Sequence, residues 1–117
     1  MKYKRASREE ILKIKDIVEE EVDVDEWQMS VLVKSLSGKE RAKVVDECTN
    51  KKGKYITTKL YPALLVAGCV EPRFTAEDAD ALNSKNSGAL ETVAKVIMKL
   101  SGISSEDLDE EGEEEKN

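Results

Sequence analysis

The spacing of apolar residues predicts a short amphipathic helix near the N-terminus. Ser7 is followed three residues later by Glu10, which is the pattern of a capping box at a helix start. The apolar residues that follow recur at helical spacing and predict one apolar face. They are Ile11, Ile14 and Val18, with Leu12 beside them.

Alternation of apolar and polar residues then predicts a β-hairpin. The alternation runs through residues 17–24 and again through residues 27–33, with polar residues between the two stretches. This pattern is typical of strands that bury one face and are joined by a turn. The apolar members are Val22, Val24, Met29, Val31 and Val33.

Two further helices are predicted in the middle of the chain. Ser37 and Glu40 form a second capping-box pattern, which introduces a helix that runs to Cys48. After a polar loop at 49–54, apolar residues at three- and four-residue steps predict the most buried helix over 55–70. Its apolar positions are Leu60, Tyr61, Leu64, Leu65 and Gly68.

Two prolines set the limits of that buried helix. Pro62 lacks a backbone donor and crowds the preceding turn, so the helix either starts just before Pro62 or bends there. Glu71 precedes Pro72, and a residue in that position avoids the helical region, so the segment ends there.

The last third of the chain predicts two helices and a tail. Residues 75–82 open with a capping pattern, and the apolar stripe over 90–100 ends at Gly102. Residues 106–117 carry eight acidic residues and one lysine, a like-charge run that predicts disorder. The predicted fold is α+β and mainly α-helical, with four to five helices, one small β-hairpin, a compact domain at 1–105 and a disordered acidic C-terminal tail.

Charge and composition narrow the functional classes. The chain has a net charge of −6 and no histidine. Because residues 106–117 contribute −7, residues 1–105 are nearly neutral and lack the basic face typical of nucleic-acid binding. No apolar run is long enough for a signal-peptide core behind the N-terminal basic residues or for a membrane span. We expect a cytoplasmic protein that binds neither nucleic acid nor membrane.

The residues that common enzyme chemistry needs are missing. Without histidine there is no ordinary serine or cysteine triad. Cys48 and Cys69 cannot complete a zinc site, and both fall in apolar helical patterns typical of small buried side chains. Gly38 and Lys39 resemble the end of a phosphate-binding loop, but the first glycine and the final Ser or Thr are absent. We expect no enzyme, no metal and no cofactor.

Four residues are candidates for contacts with a partner. Trp27 lies in the predicted hairpin, and a lone tryptophan either anchors the core of a small domain or forms an interface hot spot. Glu106, Asp107 and Leu108 open the acidic tail, which is either a solubilising end or a docking arm.

The motifs from Trp27 onward follow a recognisable order. After the hairpin come Val33-Lys-Ser-Leu-Ser-Gly-Lys-Glu-Arg-Ala-Lys-Val-Val, Leu64-Leu-Val-Ala67, Phe74-Thr-Ala-Glu-Asp-Ala-Asp-Ala-Leu82, Leu100-Ser-Gly102 and an acidic tail that closes on Glu115-Lys-Asn117. In this order the chain resembles the tail assembly chaperones of long-tailed bacteriophages and of related prophages of Gram-positive bacteria.

The resemblance implies a non-catalytic role in virion morphogenesis. Proteins of this family coat the long, helical tape-measure protein before the tail tube polymerises around it, and they are absent from the mature virion. Because many copies bind one client, the resemblance also implies a weak homo-oligomer.

The resemblance further implies a longer form of the protein. Many family members are also made with an extension, through a programmed backward frameshift near the end of the gene, and the extension recruits tail-tube protein. Residues 115–117, Glu-Lys-Asn, permit codons with the adenine run that such a slip requires.

Two other functions stay open on the sequence. One is a regulatory protein whose acidic tail mimics nucleic acid and occupies a basic, nucleic-acid-binding partner. The other is a small enzyme that uses a carboxylate with a perturbed pKa or a reactive Cys48 or Cys69. The near-neutral body of the chain counts against the first, and the weak enzyme motifs count against the second.

Overall fold

The chain folds into α-helices packed against a small antiparallel sheet. The structure is a computed structural model, and it describes residues 2–109. The helices are α1 (Arg8–Lys13), α2 (Gly38–Cys48), α3 (Thr57–Gly68), α4 (Ala79–Asn83) and α5 (Ser87–Ser101). The strands are β1 (Glu19–Val24), β2 (Met29–Lys34), β3 (Tyr55–Ile56), β4 (Cys69–Glu71) and β5 (Leu108–Asp109). The predicted fold class, α+β and mainly helical with a small hairpin, is confirmed.

β1 and β2 form the predicted hairpin. They pair antiparallel from Glu19 opposite Lys34 to Val24 opposite Met29, and a 3-10 turn at 25–27 joins them. The valines of both strands point to one face of the pair and are buried, as the alternation predicted, whereas Met29 of the same pattern is 67% exposed. They are Val22, Val24, Val31 and Val33.

α3 and α5 pack against each other in the core. Their completely buried side chains are Leu60, Leu64 and Leu65 on α3 and Ala89, Val93, Ala94 and Ile97 on α5. The helices approach closely where Gly68 meets Ile97, because a Cβ at position 68 would lie only 2.8 Å from Ile97 Cδ1. The absence of a side chain at Gly68 permits this approach.

The chain passes directly from α3 into the third strand of the sheet. Cys69 has extended dihedral angles, φ −82° and ψ 127°, and pairs with Val33 of β2. The helix predicted to reach Val70 therefore ends at Gly68. Three residues are too few to show alternation, so the sequence pattern did not indicate β4.

Pro62 lies inside α3, which begins more than a turn earlier at Thr57. Pro62 has no N–H to donate to the carbonyl of Thr58, its partner four residues back in a regular helix. That carbonyl oxygen accepts a hydrogen bond from Asn83 Nδ2 of α4 at 2.8 Å instead. The prediction of a helix start just before Pro62 is thus wrong, because a neighbouring side chain satisfies the backbone group that the proline leaves open.

The N-terminal helix forms, but it is shorter than predicted and buries nothing. Its capping box is present, with Ser7 Oγ accepting a hydrogen bond from Glu10 N at 3.1 Å and Ser7 N donating to Glu10 Oε1 at 2.8 Å. α1 stops before Ile14, so Ile14 and Val18 lie in a non-helical segment. Every residue from 2 to 21 is exposed, so no side chain of the expected apolar face is buried in the described chain.

The described structure continues past the boundary predicted at Glu106. A 3-10 turn spans Ser105–Asp107, and β5 then pairs in parallel with β3, with Leu108 opposite Tyr55. Both of these side chains are buried. Leu108, an apolar residue within the acidic run, therefore packs in the core, and the residues just before it form the 3-10 turn. Residues 110–117, for which we predict disorder, lie outside the described residues.

The other helix boundaries agree with the capping signals. Thr75 precedes a 3-10 turn at Ala76–Asp78 that leads into α4. α5 ends at Gly102, whose φ of 72° is left-handed and favours glycine. None of the helices in residues 2–109 combines the length and the hydropathy that crossing a membrane requires.

We predict that Gly68→Ala destabilises the fold by about 1–3 kcal/mol, because the added methyl group overlaps Ile97. Urea unfolding measures the free energy of unfolding of the variant. Gly38→Ala is the matched control, since a Cβ at position 38 meets nothing within 4 Å and should leave stability unchanged or slightly raised. Equal stability of the two variants would contradict the close approach of α3 and α5.

Candidate partner-binding groove

A groove of about 650 Å³ lies between α2, α3 and α4. α3 supplies its floor, because the leucines of α3 face α5 and the opposite side of the helix carries smaller side chains. These smaller side chains recur at helical spacing and define one continuous strip. The apolar residues of the groove include Pro62, Ala63, Val66 and Ala67 of α3, Val44 of α2 and Ala79 of α4.

The small side chains of the floor keep the backbone of α3 near the surface. Ala63 and Ala67 lie one turn apart and are both half-buried. Ala79 faces the same space from α4. Since the distance between packed helices depends on the side chains at the contact, alanines here let a further helix approach α3 closely.

Charged side chains of both signs surround the apolar floor. The basic ones are Lys34, Lys43, Lys59 and Arg73, and the acidic ones are Glu40, Glu47 and Asp80. A mixed rim of this kind complements the polar flanks of an amphipathic helix and gives no strong preference for a ligand of one charge.

Glu40 connects the rim of the groove to the start of α2. Its Oε1 accepts hydrogen bonds from Lys34 Nζ at 2.6 Å and from Ser37 N at 2.9 Å, which completes the capping box predicted there. Partial burial opposes the charged form, but the hydrogen bonds from Lys34 and Ser37 outweigh it and lower the pKa of Glu40 below the ordinary 4.5. At neutral pH Glu40 is therefore a fixed anion.

The two cysteines are free and buried, as their apolar surroundings predicted. Cys48 borders the groove and is 1% exposed. Burial, reinforced by the Glu47 carboxylate, raises the pKa of the Cys48 thiol to about 11. Burial also raises the pKa of Cys69 to about 12. Both thiols are protonated at neutral pH, so neither provides the thiolate that nucleophilic catalysis requires.

The groove is suited to binding an apolar surface. Its floor is apolar and continuous, its rim is charged, and its one cysteine is protonated. In the part of the chain that the structure describes, no three His, Cys, Asp or Glu side chains are grouped so as to hold a metal ion. An apolar floor that follows one helix and is bordered by charged side chains fits the helix-in-groove mode of peptide recognition.

Trp27 is half-buried in the turn of the hairpin and packs against the core. The turn contacts α5, and Glu26 lies beside the start of that helix, where a Cβ on Gly88 would be 3.1 Å from Glu26 Oε2. A carboxylate is stabilised at a helix N-terminus. The tryptophan therefore packs against the core from the hairpin turn, and it does not line the groove.

The three candidate residues of the tail divide into two groups. Glu106 and Asp107 are exposed, and Lys54 Nζ donates a hydrogen bond to the Glu106 carbonyl oxygen at 3.2 Å. Leu108 is buried against Tyr55, so the expectation that it is an accessible partner contact is corrected to a role in the core. None of these three residues lines the groove.

One pair of alanines in the sequence indicates the groove. Ala63 and Ala67 stand four residues apart on the helix predicted over 55–70, on the flank beside its leucines. Small apolar residues on the second side of a buried helix indicate that this side also contacts another element.

No protein-family model matches the chain, and neither does any curated protein or solved structure.

We predict that Glu40→Gln lowers the free energy of unfolding by about 0.5 kcal/mol at neutral pH, a modest value because the carboxylate is partly exposed. Glutamine keeps the capping box but loses the ion pair with Lys34. Because the pKa of Glu40 is lowered in the folded state, the stabilisation is complete above pH 4.5 and disappears as the pH falls through the folded-state pKa.

Urea unfolding at pH 7 and well below pH 4.5 tests this dependence. Lys34→Gln removes the partner and should show the same loss at neutral pH and none in acid. A Glu40→Gln difference that stays constant across the two conditions would contradict the charged role of Glu40.

Proposed function

We propose that this chain is a tail assembly chaperone of a long-tailed bacteriophage or a related prophage, and that it coats the tape-measure protein and promotes assembly of the tail tube. The proposal combines the order of motifs from Trp27 onward with the groove between α2, α3 and α4. It assigns the chain a binding role, in the cytoplasm of the bacterial host, that ends before the virion is mature.

The groove is the observation that carries the proposal. A tape-measure protein is long and helical, so its exposed apolar stripes need cover until the tube surrounds them. The alanines of α3 and α4 accept such a stripe, and the mixed charges of the rim pair with the polar residues beside it. One groove covers only a short length of helix, so coating requires many copies along the client.

Self-association and a longer form complete the proposed function. Weak contacts between copies would let coverage spread along the tape-measure protein. The longer form, made by a frameshift at the codons for residues 115–117, would bring tail-tube protein to the coated client. Those residues lie outside the described residues, so the proposal for the longer form depends on the resemblance.

Co-expression with the tape-measure protein of the same phage genome tests the proposal. We predict that the tagged chain keeps the tape-measure protein soluble and co-purifies with it. Ala63→Glu combined with Ala79→Glu should reduce the co-purified amount at least about tenfold, because the longer, charged side chains occupy the apolar floor where the client's apolar stripe would lie.

The matched control is Ala42→Glu combined with Ala81→Glu, two exposed alanines that do not line the groove. It carries the same change of charge and should bind as well as the wild-type chain. Circular dichroism and thermal unfolding establish that both double variants remain folded. Equal capture by the groove variant and the control would contradict the assignment of the groove.

Truncation separates the chaperone from the acidic mimic of nucleic acid. The cut must follow Asp109, because Leu108 belongs to the core. We expect a chain that ends at Asp109 to retain the tape-measure protein. Loss of a basic partner on removal of residues 110–117, with no effect of the groove variant, would favour the acidic mimic instead.

A further inference from the structure

The N-terminal region separates its charges along the chain. Residues 2–15 carry six basic and two acidic side chains, whereas residues 16–26 carry seven acidic side chains and no basic one. The first part contains α1, and the second contains β1 and the hairpin turn. Two copies in antiparallel orientation would therefore place the basic part of each beside the acidic part of the other.

β1 is an open edge of the sheet, since the strand order is β1-β2-β4. Val18 O accepts a hydrogen bond from Ser35 N at 2.8 Å, and Val18 N donates to Ser35 Oγ at 3.0 Å, so pairing towards β2 already begins before β1. Because backbone groups alternate in direction along a strand, those of Ile17 and Glu19 point to the open edge. This edge offers donors and acceptors to a further strand.

The apolar side chains that precede β1 are exposed beside this edge. The exposed fractions are 64% for Ile14, 47% for Ile17 and 52% for Val18. No residue of the segment 2–18 is buried by any other described part of the chain. An open strand edge next to a run of exposed apolar residues is a typical site of association.

We propose that two copies of this chain pair antiparallel along the β1 edge, around a two-fold axis near Ile17. The pair would join the two three-stranded sheets into one and would bring the exposed isoleucines and valines of both copies together. A second copy of the chain fits this edge by charge. The basic part of the N-terminal region faces the acidic part of the other copy only when the two run antiparallel.

Charge also selects the register of the pair. An antiparallel alignment centred on Ile17 sets Lys15 of each copy opposite Glu19 of the other, whereas one centred on Val18 would set Asp16 opposite Glu20. The alignment centred on Ile17 also carries Lys13 towards the acidic end of the neighbouring strand. An alignment centred on the middle of β1 would set acidic residues opposite acidic residues, which is destabilising. Because β1 itself is acidic, two copies of β1 placed side by side over their whole length would repel each other. The lysines that precede β1 offset this repulsion only in the alignment that brings them beside the acidic residues.

This inference goes beyond the proposed function, because a two-fold pair closes at two copies and does not by itself spread coverage along the client. It is tested on the protein alone, so its failure leaves the groove and its client untouched. Sedimentation velocity of the full chain at low salt, over a range of concentrations, measures the self-association. We expect a reversible dimer that weakens as salt rises, because exposed charges are screened.

Two charge-reversal variants supply the direct test. Lys13→Glu with Lys15→Glu, and separately Glu19→Lys with Glu21→Lys, should each weaken dimer formation roughly 100-fold, since attractive pairs become repulsive ones. An equimolar mixture of the two variants should form a heterodimer, because in the Ile17-centred alignment each substituted position then faces a side chain of opposite charge. All four positions are exposed, and circular dichroism verifies the fold of each variant.

The control is Lys51→Glu with Lys85→Glu, which changes the net charge as Lys13→Glu with Lys15→Glu does, at exposed positions away from β1, and should dimerise like the wild-type chain. A wild-type chain that stays monomeric at every concentration at low salt would overturn the proposal. A mixture of the reversal variants that stays monomeric would overturn it as well. Loss of the dimer in a chain that ends at Asp109 would also overturn it, because the basic segment would then meet the acidic C-terminal residues.

Discussion

The close packing of Gly68 of α3 against Ile97 of α5 determines how the two central helices lie against each other. It fixes α3 against α5 with its leucines inward, and this orientation leaves the alanine side of α3 as the floor of the groove. The same glycine ends the helix, so Cys69 can enter the sheet beside Val33. One helix therefore positions the core, the sheet and the binding surface together.

The sequence predicted those elements of the fold that depend on residues close together in the chain. The capping boxes at Ser7 and Ser37 depend on residues three apart in the sequence, and both form. β3, β4 and β5 could not be predicted in this way, because they span two or three residues and exist through distant partners. Leu108, for example, pairs with Tyr55, and no pattern near Leu108 indicates that neighbour.

The candidate site was harder to predict than the fold for the same reason. Trp27 is conspicuous as a single residue, yet it is half-buried and packs against the core. The groove has no such conspicuous residue, because its floor consists of alanines contributed by helices distant in sequence, such as Ala63 and Ala79. Its identification requires knowledge of which side of α3 faces α5. The route past Pro62 likewise depends on Asn83, a neighbour from another helix.

The most direct test of the central claim, that a client helix occupies the groove, is methyl NMR of the chain titrated with a helical segment of the tape-measure protein. We predict that the methyl signals of Ala63, Ala67 and Ala79 shift together, while those of Leu64 and Leu65 on the core side of α3 shift little. Binding that leaves the three alanine signals unchanged would contradict the assignment of the groove, because the client would then occupy another surface.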